Sequence, residues 1–342
     1  MRKAHAGIKD VARSAGVSVT TVSRVVNGHR YVRSELRQRV RKAIAELGYS
    51  SNFMARSLVR QKTNLIGVIV SNITLSFFST IFSSIEETAS ANGYNILVSN
   101  IADDLRKELK YIEVFKEMRV AGIILMHEKI TRSIVNVLRS VDVPVVFSSV
   151  RAAGMRYSSV NIDDEQAAYD ATAYLLKLGH RRIGLIGGNM REISSGLKRH
   201  RGYQRALRDH GMPLDPKLIR IGDFRMATAY GLMGELLAEE GSPSAVFAVS
   251  DEMAVGAMNY CLDNAISVPS TVSVIGFDDT PIASSVRPAL TTVHQPIVEI
   301  GRRSVQILLQ TVEGGIAEPI KVLLPHALVE RESCAPVHGR DS

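Results

Sequence analysis

Residues 8 to 27, Ile-Lys-Asp-Val-Ala-Arg-Ser-Ala-Gly-Val-Ser-Val-Thr-Thr-Val-Ser-Arg-Val-Val-Asn, carry two short amphipathic patterns divided at Gly16-Val17, and few folds satisfy both. Ile8, Val11, Ala12 and Ala15 share one stripe of a 3.6-residue period, with Lys9, Asp10 and Arg13 facing outward. A second helix starts after Ser18, whose hydroxyl can accept from a free first-turn amide, and it buries Val22, Val25 and Val26 before stopping at Asn27-Gly28. The pattern is that of a helix-turn-helix that leaves Val19, Thr20, Thr21, Ser23 and Arg24 outward. A plain helical hairpin has the same period, so the pattern alone does not fix a use. A third helix, roughly Glu35 to Leu47, offers Leu36, Val40, Ala43, Ile44 and Leu47 as a stripe against the first two, and Gly48 closes it.

Charge separates this head from the rest. Residues 1 to 62 hold fourteen Lys and Arg against three acids (Asp10, Glu35, Glu46), a net +11, while the remainder of the 342 residues is net −3. A basic head on a mildly acidic body is the electrostatic footprint of a duplex-binding module. The length and a 45% apolar content call for more than one folded domain. No stretch approaches the ~20 apolar residues of a membrane span and no apolar leader follows Met1, so no membrane partner and a cytoplasmic location are expected. Cys261 and Cys334 lack metal-type pairing and are read as ordinary thiols.

From Thr63 onward, short apolar runs alternate with helical spacings. Leu65 to Val70, Asn95 to Val98, Gly122 to Leu125 and Val143 to Phe147 are predicted as buried parallel strands, with helices around 77 to 91, 104 to 118 and 131 to 140. The pattern recurs with strands at Ile183 to Ile186, Ile219 to Ile221, Ala245 to Ala248 and Val274 to Phe277, and helices near 165 to 178, 198 to 210, 226 to 239 and 251 to 264. The expected fold class is an all-α helix-turn-helix head plus an α/β body of two doubly wound parallel-sheet lobes.

No constellation for catalysis stands out. Gly184-Leu-Ile-Gly187-Gly188 is not a dinucleotide-binding turn, and neither a phosphate-binding loop nor a nucleophile elbow occurs. The nine His residues show no metal-ligand spacing, and His180 and His294 read as capping or packing residues at lobe turns. Neither an enzyme, a metal nor a cofactor is expected.

A longer set of motifs, in order along the whole chain, resembles the lac repressor family of bacterial transcription regulators. It comprises Lys9-Asp10-Val11-Ala12, Ala15-Gly16-Val17-Ser18, Thr21 to Asn27, Leu47-Gly48-Tyr49, Asn52, Ala55, Leu58 and Ile66-Gly67. It continues through Gly122-Ile123-Ile124, Leu178 to Ile183, Arg199, Gly202-Tyr203, Ser250-Asp251, Gly276 to Asp279 and Pro288 to Pro296. The resemblance implies a helix-turn-helix domain at 1–50, a hinge helix and linker at 51–62, a two-lobed effector-binding and dimerisation domain at 63–336 and a tail at 337–342. The body would resemble a periplasmic sugar-binding protein, crossing between lobes near 161 to 163, 290 to 293 and 322 to 324.

The same resemblance implies roles. Val19, Thr20 and Arg24 would read base edges in the major groove. Asn52, Ala55 and Leu58 would lie in the minor groove, Leu58 as a wedge that kinks the duplex, with a core leucine as the alternative. Ser18, Thr21, Asn27, Arg33, Arg56 and Arg60 would meet phosphates. Effector candidates are Phe77, Phe78, Arg199, Phe224, Ser250, Asp251 and Asp278, where aromatic faces stack on sugar C–H groups and Arg or Asp bonds hydroxyls. Phe77 and Phe78 also read as core residues, and Arg199 with Asp278 as a structural ion pair. Three departures bear on the hinge and the ligand: Ser51 where many relatives have Pro, Leu75-Ser76 where Asn-Pro is common, and Ser149-Val150-Arg151 where an acid is frequent.

The expected function is a ligand-responsive repressor of carbohydrate-utilisation genes, released from a near-palindromic double-stranded operator by a sugar or sugar derivative. The alternative is a catabolite-control type regulator whose body is switched by a protein partner or a corepressor metabolite. A free-standing solute-binding protein has no use for the basic head. The sequence after Glu330 is polar and without heptads, so a homodimer is expected rather than a tetramer.

Overall fold

The computed structural model describes residues 6–26, 31–49, 63–102, 104–150, 156–314 and 318–337. Asn27, the hinge segment with Asn52, Ala55, Arg56, Leu58 and Arg60, Arg151 and the tail beyond Val337 lie outside them. The chain forms two compact units, Met1–Thr63 and Asn64–Ser342.

In the first unit, α1 (Ile8–Ala15), α2 (Val19–Val26) and α3 (Ser34–Leu47) close around Val11, Ala12, Ala15, Val22, Val25, Val40 and Ala43. Asp10 accepts from the Gly7 amide at 2.9 Å and Ser18 Oγ from the Thr21 amide at 3.1 Å, so each of the first two helices starts with a satisfied donor. Gly16 ends α1 at φ +59°, which lets the Val17 amide reach the Ala12 carbonyl at 3.0 Å. Two expectations on α3 shift. Leu36 is only half-buried, and Leu47, in the final turn, is 38% exposed because the stripe leaves the core after Ile44.

The second unit contains two sheets. β1 (Leu65–Val70), β2 (Asn95–Asn100), β3 (Gly122–Met126), β4 (Val145–Ser148), β5 (Ser158–Ile162) and β11 (Lys321–Leu324) run parallel in the order β11-β5-β4-β3-β1-β2. β6 (Ile183–Gly187), β7 (Ile219–Ile221), β8 (Ala245–Ala248), β9 (Ser273–Asp278), β10 (Thr291–His294) and β12 (Ala327–Val329) have the order β12-β10-β9-β8-β6-β7, with β12 antiparallel at its edge. Each lobe therefore reverses strand order beside its first strand, which opens a crevice at the strands' carboxyl ends. The chain passes between lobes after Ile162, after His294 and after Leu324, close to the expected positions.

Most predicted strands and helices appear within one or two residues. β4 starts at Val145 instead of Val143, since Pro144 has no amide to give and instead accepts from Ile123 at 2.9 Å. β5, Ser-Ser-Val-Asn-Ile, was not foreseen because it lacks an apolar run, yet it is buried, with Ser158 Oγ accepting from the Ile320 amide at 3.0 Å. A helix at Ile297–Val312 lies against the Ser76–Ala91 helix, and a Cβ on Gly301 would stand 2.7 Å from the Ile81 carbonyl. No described helix is long and apolar enough to cross a membrane.

Gly16→Ala should cost ~1–2 kcal/mol, because the left-handed φ penalises any Cβ and this one would meet the Arg39 side chain at 2.6 Å. Amide exchange on the intact protein should then accelerate about 5- to 30-fold in residues 8–26 and stay unchanged in the body.

Candidate functional site

A cavity of about 360 Å³ opens between the lobes, at the carboxyl ends of both sheets. Strands of both sheets deliver side chains to it at, or within a few residues of, their carboxyl ends. Ser71 and Asn72 follow β1, His127 and Glu128 follow β3, Asp223 and Phe224 follow β7, Ser250 and Glu252 follow β8, and Asp278 ends β9. Of the seven expected effector residues, six line it: Phe77, Phe78, Arg199, Phe224, Ser250 and Asp278.

The apolar wall comes from both lobes. Phe77 and Phe78 open the Ser76–Ala91 helix, their rings edge to face with centroids 5.4 Å apart. Phe77 is also packed into the first lobe's core, so its core and lining readings hold together. Phe224 sits at φ +64° opposite them, against Gly188, where a Cβ would come within 2.5 Å of its ring. Only glycine leaves room for that ring.

The polar floor is built around Arg199. Its Nε donates to Asp164 Oδ1 at 3.0 Å, and its Nη1 donates to the Val249 carbonyl at 2.6 Å and to Asp278 Oδ1 at 3.4 Å. The guanidinium lies 3.7 Å from the centroid of the Phe277 ring. Burial disfavours its charge, but the Asp164 and Asp278 carboxylates more than restore it and hold its pKa above the ordinary value. Burial also pushes Asp278 well above the usual carboxylate range, against the pull of Arg199, and Gln295 Nε2 donates to Oδ1 at 2.7 Å. The structural ion pair is therefore present, and it forms part of the cavity lining.

Asp251 is the correction. It does not line the cavity: Oδ2 accepts from the Thr280 amide and hydroxyl and Oδ1 from Thr292 Oγ1 at 2.6 Å, so both oxygens face back into the lobe. One residue on, Glu252 faces the cavity instead, because Ser250 caps the helix and successive positions turn by about 100°.

Two carboxylates missed by sequence reasoning join the lobes across the cavity. Glu128 Oε2 accepts from the Ser194 amide at 3.0 Å, the Ser195 amide at 2.8 Å and Ser195 Oγ at 3.0 Å, at the start of a π-helical turn, Ile193–Lys198. Glu252 Oε1 accepts from the Ser76 amide at 2.9 Å, a bond that Pro at this position would remove. Lys129 pairs with Glu192 at 3.3 Å on the same rim. The one sequence signal for Glu128 was its place just behind a predicted strand.

The histidines pack as expected. His180 Nδ1 lies 2.9 Å from Ser244 Oγ and Nε2 3.1 Å from the Ala335 carbonyl, while His294 Nδ1 lies 2.9 Å from Asp279 Oδ2. Burial pushes the Cys261 thiol up to about 11 and the Cys334 thiol up to about 12, which keeps both protonated. On the head, Ser18, Val19, Thr20, Arg24 and Arg33 are exposed, while Thr21 is half-buried and shares its hydroxyl with Ser18 at 2.9 Å.

Comparison with known proteins matches residues 7–52 to the lacI family of bacterial regulatory proteins and residues 172–334 to the periplasmic binding protein-like domain. Catabolite control protein A of Priestia megaterium is 37% identical over 95% of this chain and 98% of its own length. The crystal structure of the lac repressor dimer bound to operator and the anti-inducer ONPF superposes with a TM-score of 0.87 at 30% identity, covering 97% of this chain and all of that one. A complex of the regulator CelR with cellobiose superposes with a TM-score of 0.73 at 30% identity, covering 96% and 99%. The chain belongs to the lacI family of DNA-binding transcriptional regulators, with a helix-turn-helix head and a two-lobed periplasmic-binding-protein-like body.

Burial, with Asp164 and Glu192 nearby, pushes Glu128 up to about 7 from its ordinary value of 4.5. The folded protein then holds a proton that the unfolded chain has released, so this group's contribution is full below pH 4.5 and lost as pH rises through 7. Glu128→Gln keeps the acceptor and removes the buried charge. Its thermal midpoint should match the parent's near pH 5 and exceed it at pH 8, by at most about 3 kcal/mol of stability. A constant offset across that range would refute the assignment.

Proposed function

We propose that this regulator is a dimeric repressor of carbohydrate-utilisation genes, whose hold on a near-palindromic operator is released when a sugar or sugar derivative fills the cavity between the lobes. The observation that carries the reading is the cavity itself. It combines aromatic walls with a ring of oriented hydrogen-bonding groups, which is how a polyhydroxylated ligand is held by its C–H faces and its hydroxyls together. The relatives support it: one solved structure holds cellobiose, another is a dimer on operator DNA.

On this reading Phe77, Phe78 and Phe224 stack on the ligand while Arg199, Ser250 and Asp278, joined by Glu128 and Glu252, meet its hydroxyls. Val19, Thr20 and Arg24 face base edges, and Ser18, Thr21 and Arg33 face phosphates. For Asn27, Asn52, Ala55, Arg56, Leu58 and Arg60 the roles rest on the sequence resemblance alone. The reading assigns no catalysis and a cytoplasmic site of action beside the operator.

Selection from random duplexes by the full-length protein supplies the operator, and titration of the complex with a sugar library tests release. A stoichiometric hit that dissociates the complex supports the reading, whereas silence across the library contradicts it. Phe224→Ala should lose the response and keep the parent's operator affinity, since its ring lines the cavity. Arg24→Ala should cost roughly 1–3 kcal/mol at a single base position, while Arg33→Ala should weaken all duplexes alike and flatten the salt slope by about one unit. Equal losses on selected and random duplexes for Arg24→Ala would remove it from base readout.

A further inference from the structure

We propose that the cavity takes an uncharged or amino-bearing polyol and rejects phosphorylated and carboxylated sugars, with Glu252 and Asp223 as the residues that enforce the choice. The inference rests on the sugar-effector reading above and narrows it by charge. Five carboxyl groups line the cavity (Glu128, Glu192, Asp223, Glu252 and Asp278) with two guanidinium groups, Arg199 and Arg225, and one imidazole, His127, whose Nδ1 lies 2.8 Å from Glu108 Oε2. Burial raises Glu128 and Asp278 toward their neutral forms, so the charge argument rests on Glu252 and Asp223.

Arg199 is committed, whereas Arg225, 71% exposed, is only loosely paired. Arg199 is enclosed by Asp164, Asp278 and the Val249 carbonyl, at 3.0, 3.4 and 2.6 Å. Arg225 Nε stands 3.7 Å from Asp223 Oδ2, and the Arg225 amide donates to Asp223 Oδ1 at 3.2 Å. Lys129, on the rim, pairs with Glu192. Glu252 is different. It is buried, and Oε1 accepts from a neutral donor, the Ser76 amide, at 2.9 Å. A phosphate or carboxylate placed beside Glu252 would meet this negative charge in a partly desolvated space. A hydroxyl or ammonium group instead donates to these carboxylates. The volume, about 360 Å³, lies at the small end of ligand pockets and suits one or two sugar rings.

The test uses the full-length protein and a panel of mono- and disaccharides, each neutral scaffold accompanied by its 2-amino, 6-O-methyl, 6-phosphate and uronate forms. Binding is read by calorimetry and by operator release. For the scaffold that binds, the 6-phosphate and uronate should be at least about 100-fold weaker, and the 2-amino form equal or tighter. Glu252→Gln retains the acceptor for the Ser76 amide and should narrow that gap about tenfold. Asp223→Asn, at a more exposed position, should narrow it less. A 6-phosphate or uronate within tenfold of its neutral scaffold overturns the charge argument and leaves the sugar reading standing. Equal rejection of the 6-O-methyl form shows exclusion by size and also overturns it. Silence across the panel overturns the sugar reading and this inference with it.

Discussion

The body depends on one buried cation. Arg199 reaches from the start of its helix to Asp164, just past the first lobe crossing, to the carbonyl that ends the β8 turn and to the last residue of β9. It thus fixes the carboxyl ends of the second sheet relative to one another, with the Phe277 ring beneath it. A buried guanidinium is tolerable only while these acceptors stay in place; loss of one leaves an uncompensated charge at a cost of about 3–5 kcal/mol. The constraint works in both directions, because the groups that satisfy the cation are also held rigid by it. The cavity floor is therefore set before any ligand arrives.

Closure of the lobes uses a different kind of contact. Glu128 and Glu252 take backbone amides from the opposite lobe, and the second of these exists because residue 76 is Ser with a free N–H. Such bonds are directional, small in number and easily exchanged for water or ligand hydroxyls, which suits an interface that opens and shuts. On the proposed reading, ligand binding and lobe closure draw on the same carboxylates. An effector changes the lobe equilibrium only through the difference in what these groups gain in each state.

Much of this was legible in the sequence. The head is local physics: an N-cap at Ser18, a left-handed Gly16 and valines at helical spacing. The parallel strands were legible because burial on both faces leaves runs of Ile and Val, while β5, with two serines and an asparagine, was hidden by polar residues whose partners come from distant chain. The effector candidates came from the family resemblance, and six of them, Phe77, Phe78, Arg199, Phe224, Ser250 and Asp278, line the cavity. That reading named Asp251 and passed over Glu252, because which of two neighbouring carboxylates faces the cavity depends on Thr280 and Thr292, which are distant in sequence. Glu128 was passed over for the same reason: its place behind a predicted strand was visible, but its partners lie in the other lobe.

The central claim is that occupancy of the cavity and grip of the head on DNA are two ends of one equilibrium. The direct measurement is the dissociation constant of the releasing sugar for the full-length protein, free and saturated with its selected operator. Linkage requires the two constants to differ by the same factor by which that sugar weakens operator binding, typically about 5- to 150-fold. Identical constants with and without operator would contradict the account, since the cavity would then be a site that the DNA-binding head does not sense.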